Sequence, residues 1–380
     1  MTQPPADATV LALDLGGTQV RAALVRADGT RLGRAAAPTP VSDGPSAVVA
    51  ACIATLQRAR ENATKEDAAA VSRLVGIGIS APGPLNPWTG VAVEPANLGP
   101  RFPGTDLAGP IGAALGLPVY LEHDTKVAIL GERAFGAGGG IDDLMYLTIS
   151  TGFGAAALSG GHLLTGPDDT ALELGHVPIS LDGPRCTCGG VGHLEAHASG
   201  WALAAAGSAA AASGASPWLA NWVKEHAGEP ISAKTVAEAA TAGDRAADEI
   251  LERALLAVGR AVAGYVNAFN PVRIIIGGSL AEAHWERLAK RIHHEIGENA
   301  FKVPARRVSI RPAQLGGDVS LAGCHPVVVG RLGNSDWERA VETESHPFRT
   351  PVLGTTNLFE CAMRVVVLRR ADAARSRRTA

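Results

Sequence analysis

Twice along this chain an apolar segment of strand length runs into a turn of glycine and small hydroxyl residues, then resumes as a second apolar segment. Thr9–Leu13 leads through Asp14-Leu15-Gly16-Gly17-Thr18 into Val20–Val25, and Leu144–Ile149 leads through Ser150-Thr151-Gly152-Phe153-Gly154 into Ala155–Leu158. Apolar runs with such punctuation read as strands joined by tight turns. Helical patterns and a further buried strand follow each unit, so the order predicts an α/β chain built as two similar lobes.

Behind the first unit, Asp28-Gly29 closes a hairpin, and Ser42 or Asp43 caps a helix that has Pro45 near its first turn and reaches about Arg60. Leu74–Ile79 is a strand stopped by Pro82-Gly83-Pro84. Pro118–Leu121 is another, after which Asp124 opens a helix to about Phe135. The glycines from 136 to 140 read as a hinge between lobes. Behind the second unit come a helix over Ala246–Ala268, a strand over Val272–Ile276 ended by Gly277-Gly278, and a helix from about Ala281. With 380 residues the chain exceeds one ordinary core of roughly 150. The divisions expected are residues 1–124 for the first lobe, 125–323 for the second, and 324–380 for an atypical extension. That extension is irregular from Gly333 and carries one apolar run, Val365–Leu368. Its last twelve residues hold five arginines against one aspartate, which reads as a solvated tail.

Composition argues against several classes. A net charge of −3 leaves no basic footprint for nucleic acid, and 4% aromatic content gives little base-stacking surface. No apolar run approaches the roughly 20 residues that span a bilayer, and Met1–Val10 lacks a secretion signal. The five cysteines include one close pair, so a reducing cytoplasm is expected rather than a disulfide framework.

Adjacent glycines let several backbone N–H groups converge on one anion. Gly16, Gly17 and Thr18 in one lobe, with Thr151 and Gly152 in the other, can clamp nucleotide phosphates from two sides. Asp14 can orient Mg²⁺ through water. Either turn alone reads more readily as a plain hairpin. No G-x-x-x-x-G-K-[ST] occurs, so a P-loop is not predicted. Asp124 sits where α/β proteins bind ligands, at a strand-to-helix junction, though an aspartate there also reads as a helix cap. His176, Cys186, Cys188 and His193 fall within eighteen residues and offer a Cys₂His₂ zinc set, with His197 as a substitute. Reduced thiols beside surface histidines are the plainer alternative. A zinc deaminase is not predicted, because its H-x-E and P-C-x-x-C segments would run in the opposite order.

The string Asp14–Val25, D-L-G-G-T-Q-V-R-A-A-L-V, resembles the first phosphate motif of the ROK (repressor, ORF, kinase) family of the actin/hexokinase superfamily. Matches continue in order through Gly76–Pro84 with Asn97-Leu98, His123-Asp124, Ser150–Gly154, Glu173–His176, Cys186–Glu195 and Ile274–Gly278. The resemblance covers about residues 8 to 323. It implies an actin-like (ribonuclease H-like) duplicated two-lobe α/β fold with a cleft. It also implies a glucokinase-like activity, in which ATP and Mg²⁺ phosphorylate a hexose hydroxyl to give a sugar 6-phosphate. In that scheme Asp124 is the base, and Asn97, His123, Glu173, His176 and Glu195 bind sugar hydroxyls. Gly277 and Gly278 lie at the adenosine, where a simple strand-to-helix turn is the alternative. A structural Zn²⁺ is held by His176, Cys186, Cys188 and His193.

Two positions depart from the family pattern. His123 stands where the family has Asn, and His193 where it has a third cysteine. Glucose is the first sugar expected, with N-acetylhexosamines, mannose and fructose behind it. A homo-oligomer, a dimer, is the expected assembly, with no nucleic-acid or membrane partner. The family also contains sugar-sensing regulators with a helix-turn-helix before the first motif. Here that motif begins at Asp14, so the kinase is the expectation and a sensor or weakly active paralogue the alternative. The family's final helix crosses back to the first lobe, and Pro326 within Asp318–Leu332 is expected to kink or stop it.

Overall fold

A computed structural model describes residues 4–95 and 97–342. Five strands form the first sheet: β1 (Thr9–Leu15), β2 (Gln19–Val25), β3 (Arg31–Pro38), β4 (Leu74–Ala81) and β5 (Val119–His123). Their order is β3-β2-β1-β4-β5, with β1 to β3 antiparallel and β4 and β5 parallel to β1. The second sheet holds β6 (Leu144–Ile149), β7 (Phe153–Ser159), β8 (His162–Leu163), β9 (Arg273–Gly277) and β10 (Ser309–Pro312). Its order is β8-β7-β6-β9-β10, with the same pattern of directions. One topology used twice is the duplicated, two-lobed, actin-like (ribonuclease H-like) arrangement implied by the motif series.

Helices cover the sheets because their apolar residues recur at helical spacing. In α1 (Pro45–Glu66), Val48, Cys52, Leu56, Ala59 and Ala63 bury one stripe on the first lobe's core. Neither Ser42 nor Asp43 caps this helix. Both lie in a 3₁₀ turn, and Gly44 at φ 97 takes the cap, a left-handed conformation that glycine adopts without strain. The helix continues to Glu66, past the expected end near Arg60. α2 (Asp124–Phe135) leads out of β5 and toward the second sheet. There α3 (Arg245–Phe269) and α4 (Trp285–Asn299) pack with Leu147, Ile149, Ile274 and Ile276 in a second core. The glycines after α2 are tied down by Glu132. Its fully buried carboxylate accepts N–H groups from Ala137 at 2.7 Å and from Gln314 and Leu315 at 2.9 Å.

The chain then returns to the first lobe in α5 (Val319–Arg331), which runs through Pro326 without stopping there. The ring removes the N–H that would bond the Ala322 carbonyl. Leu321, Cys324, Val327 and Val328 are nevertheless buried, and that burial holds the helix together. The expected division between 323 and 324 falls inside this helix. α5 touches α2 backbone to backbone: a Cβ on Gly131 would lie 3.0 Å from the Gly323 Cα, and one on Gly323 would strike the Val127 carbonyl. The helix that begins at Asp124 is thereby fixed. Replacing Pro326 with Ala restores the missing bond and is expected to stabilise the fold by about 1–3 kcal/mol in urea unfolding. A loss of stability would contradict that account of the helix.

Ser335–Glu342, read as irregular in sequence, forms a helix. The Val365–Leu368 run and the arginine-rich tail lie outside the described residues. Among the described residues no helix is long and apolar enough to cross a membrane.

Candidate active site

The first glycine turn closes β1 onto β2 in the register Leu15 opposite Val20, with the Gly16 N–H donating to the Gln19 carbonyl at 3.0 Å. Thr39 braces it from β3's end, its hydroxyl donating to the Gly16 carbonyl at 2.6 Å. A Cβ on Gly17 would lie 2.6 Å from the Asn97 carbonyl, so only glycine lets the turn and the Asn97 loop stand side by side. Arg21, opposite Asp14 across the ladder, grips Asp14 Oδ2 through both Nε, at 2.9 Å, and a terminal nitrogen. Burial raises the Asp14 carboxyl above its ordinary range despite Arg21, and the nearby Asp124 charge adds to the rise. The two aspartates therefore share one electrostatic neighbourhood.

The second turn joins β6 to β7, with the Ser150 N–H donating to the Gly152 carbonyl at 3.0 Å. A Cβ on Gly154 would lie 2.7 Å from Thr125 Cγ2, so this turn abuts the residue after Asp124. A Cβ on Gly152 would lie 2.9 Å from Glu195 Oε2. That same oxygen accepts the Phe153 N–H at 2.8 Å, while Glu195 Oε1 accepts Trp201 Nε1–H at 3.3 Å. Glu195 thus already holds the second turn in place, with a further lone pair on each oxygen for a ligand.

Asp124 is the first residue of α2 and not its cap. His123 caps the helix, its Nδ1 accepting the Thr125 N–H at 3.4 Å. The Asp124 side chain is 49% exposed, so its carboxylate is left free of the capping role the sequence allowed it. His123 Nδ1 also lies 3.1 Å from Asp124 Oδ1 and 2.8 Å from Thr125 Oγ1. The ring covers Gly83, where a Cβ would collide with it. Its Nδ1 is thereby engaged, and Nε2 is the nitrogen left for a ligand.

His176, Cys186, Cys188 and His193 come together, with their donor atoms all within 4.8 Å of one another. His176 Nδ1 is 3.6 Å from Cys186 Sγ, and His193 Nδ1 is 3.2 Å from Cys188 Sγ. The knuckle turns on Gly189 at φ 94 and Gly192 at φ 70. His197 is not part of it, because its Nε2 is paired with Ser180 Oγ at 3.0 Å. The exposed Glu173 precedes the 3₁₀ turn Leu174–His176, whose first carbonyl is held by the Tyr265 hydroxyl at 2.9 Å.

Gly277 and Gly278 end β9 for packing reasons. A Cβ on Gly277 would lie 2.8 Å from the Tyr146 hydroxyl. Gly278, at φ 93, is pressed on Ile149. Beside them opens a cavity of about 620 Å³, walled by Ser150, Thr151, Trp201, Ile231, Ser279 and His284 among others. Ser150 Oγ and Ser279 Oγ, 3.1 Å apart, join the second turn to its floor. Sequence reasoning missed Trp201, Ile231 and His284, which three separate segments bring together with no linear motif.

The ROK family model matches residues 10–329. Among curated proteins, a glucokinase of Thermotoga maritima is 36% identical over 279 residues, 72% of this chain and 83% of that protein. An N-acetylmannosamine kinase of Escherichia coli O157:H7 is 33% identical over 277 residues, 72% of this chain and 84% of that protein. Among solved structures, a ROK family glucokinase from Streptomyces griseus in complex with glucose and AMPPNP aligns with a TM-score of 0.67 at 28% identity, covering 83% of this chain and 97% of that one. A ROK family transcriptional regulator, a homologue of the E. coli MLC protein, aligns with a TM-score of 0.72 at 25% identity, covering 88% of this chain and 80% of that one.

Proposed function

Because this chain belongs to the ROK family, we propose that it is a sugar kinase that moves the terminal phosphoryl group of ATP to a hexose hydroxyl. Glucose is the first substrate to test and the 6-phosphate its product. The observation that carries this reading is the seating of the second glycine turn against the α2 start, Gly154 against Thr125, with β1 and its Asp14 in the same sheet as β5, which leads into Asp124.

Phosphoryl transfer asks a protein mainly for alignment and charge stabilisation. The N–H groups of Gly17 and Thr18 on one side, beside Gly16, whose own N–H closes the turn, and of Thr151 and Gly152 on the other, cradle the phosphates. Mg²⁺ supplies further charge neutralisation when bound, with Asp14 Oδ1 the oxygen that Arg21 leaves for its water shell. The Asp124 carboxylate orients the sugar hydroxyl and takes its proton late, once transfer has made it acidic. Asn97, Glu173, Glu195, His176 and the Nε2 of His123 bond the remaining hydroxyls. The cavity beside Gly278 takes the adenosine, with Trp201 and His284 in its wall.

The His176, Cys186, Cys188, His193 set supplies the two thiols and two imidazoles of a tetrahedral zinc site, and donors within 4.8 Å of one another need only draw in slightly to reach bonds of about 2.0–2.3 Å. Four protein donors leave no open position, so its part is structural. It holds His176 and Glu195, one on each side of the knuckle, in fixed relation.

A coupled ADP assay over glucose, mannose, fructose and the N-acetylhexosamines tests the reading. Sugar-dependent ADP release is expected, greatest with glucose. Sugar binding without ADP release would move the protein to the sensor class, and no response to any sugar would sink both.

A further inference from the structure

Beneath the start of α2 lie four charged side chains that the chemistry above does not use. Glu122 is fully buried, Lys126 is 3% exposed and Asp169 is 5% exposed, while Arg331 reaches them from the end of α5. Lys126 Nζ is ion-paired with Asp169 Oδ1 at 2.5 Å, donates to the Asp169 main-chain carbonyl at 2.7 Å, and lies 3.8 Å from Glu122 Oε1. Glu122 Oε2 pairs with Arg331, and its Oε1 accepts the His123 N–H at 2.7 Å. Burial opposes the charge on Glu122, but Lys126 and Arg331 overcome it and hold that carboxyl below its ordinary range. Burial and the neighbouring Glu122 push Asp169 the other way, up to about 7, with Lys126 and Arg331 pulling against them. A buried ammonium needs such partners, and the position of Lys126 is fixed by them.

The pair connects two segments far apart in sequence. Lys126 stands on the first turn of α2, two residues after Asp124. Asp169 belongs to the loop that delivers Glu173. That loop is wound tightly, with Gly166, Asp169 and Leu172 at φ 67, 59 and 72, and two of the three are not glycine. Left-handed residues of that kind persist only where their surroundings hold them. Lys126 holds Asp169 by main chain and side chain at once.

We infer that the Lys126–Asp169 pair is a positioning device that locks the Glu173 loop to the helix carrying Asp124, so that base and sugar ligand keep one separation. The inference rests on the proposed roles of Asp124 and Glu173. Lys126 and Asp169 are positioning residues, since neither is argued to touch the sugar.

Two variants test it. Asp169→Asn keeps the volume and removes the charge. The neutral pair Lys126→Met with Asp169→Asn removes both charges, leaves Glu122–Arg331 intact, and stands in if the single change does not fold. Either is expected to raise the sugar KM by about tenfold or more and lower kcat, with the ATP KM within about twofold, because small misplacements cost alignment. Amide exchange of the 165–175 peptide is expected to speed up while exchange across β1, β4 and β5 stays as in the wild type. A folded variant with wild-type sugar KM and wild-type exchange of that peptide overturns the inference. Wild type and Asp124→Asn on the same sugar panel test the underlying reading separately. If the wild type phosphorylates no sugar, that reading fails, and the exchange of 165–175 still decides whether the lock exists.

Discussion

Asp124→Asn is expected to lower turnover by about 10³-fold while sugar affinity stays within a few-fold, the signature of a lost proton acceptor. The replacement is nearly isosteric, and its amide N–H can face His123 Nδ1, now 3.1 Å from Asp124 Oδ1. The helix start is kept as well, because its cap is His123. What disappears is the ability to take the hydroxyl proton once phosphoryl transfer is under way. Steady-state ADP release and calorimetric titration with the sugar measure the two halves. Near-normal turnover in the variant would remove Asp124 from the mechanism, whatever the fold.

Loss of the metal is the second large effect expected. Purified protein should carry about one zinc per chain. Cys186→Ser, or prolonged chelation, should release it and raise the sugar KM by about 10–100-fold. Metal binding free energy is folding free energy for a loop that depends on it, so the melting temperature should fall as well. The reason is structural: His193 leads directly into the short helix Leu194–Ala198 that carries Glu195, and Glu195 in turn holds Phe153 of the second turn. With the roles proposed for Glu195 and the second turn, a disordered knuckle would loosen both a sugar ligand and a phosphate cradle. Elemental analysis far below one zinc per chain, in protein that is fully active, would contradict this.

The parts of the site that sequence made legible are those fixed by local rules. β6 begins and ends at Leu144 and Ile149 as its apolar run does, and both glycine turns lie between paired strands. The Cys186–His193 segment is short enough that its spacing offered a cluster, which the family resemblance favoured over reduced thiols. Other features depend on distant contacts. Pro326 marked a helix break by every local criterion, yet the burial of its neighbours against the first lobe keeps the helix whole. His197 and His193 looked interchangeable as ligands until Ser180 engaged one of them. Glu122 and Lys126 belong to no motif that the sequence singles out. That they are buried follows from α5 bringing Arg331 back across the chain, which no local pattern announces. The cavity beside Gly278 is of the same kind, since Trp201, Ile231 and His284 converge only through tertiary packing.

The most direct test is a crystal structure of the protein with a hexose and a non-hydrolysable ATP analogue. The terminal phosphate is expected between the amides of Gly17-Thr18 and those of Thr151–Gly152, with a sugar oxygen in line and hydrogen-bonded to Asp124. A nucleotide bound by only one of these turns, or a sugar held away from Asp124, would contradict the account.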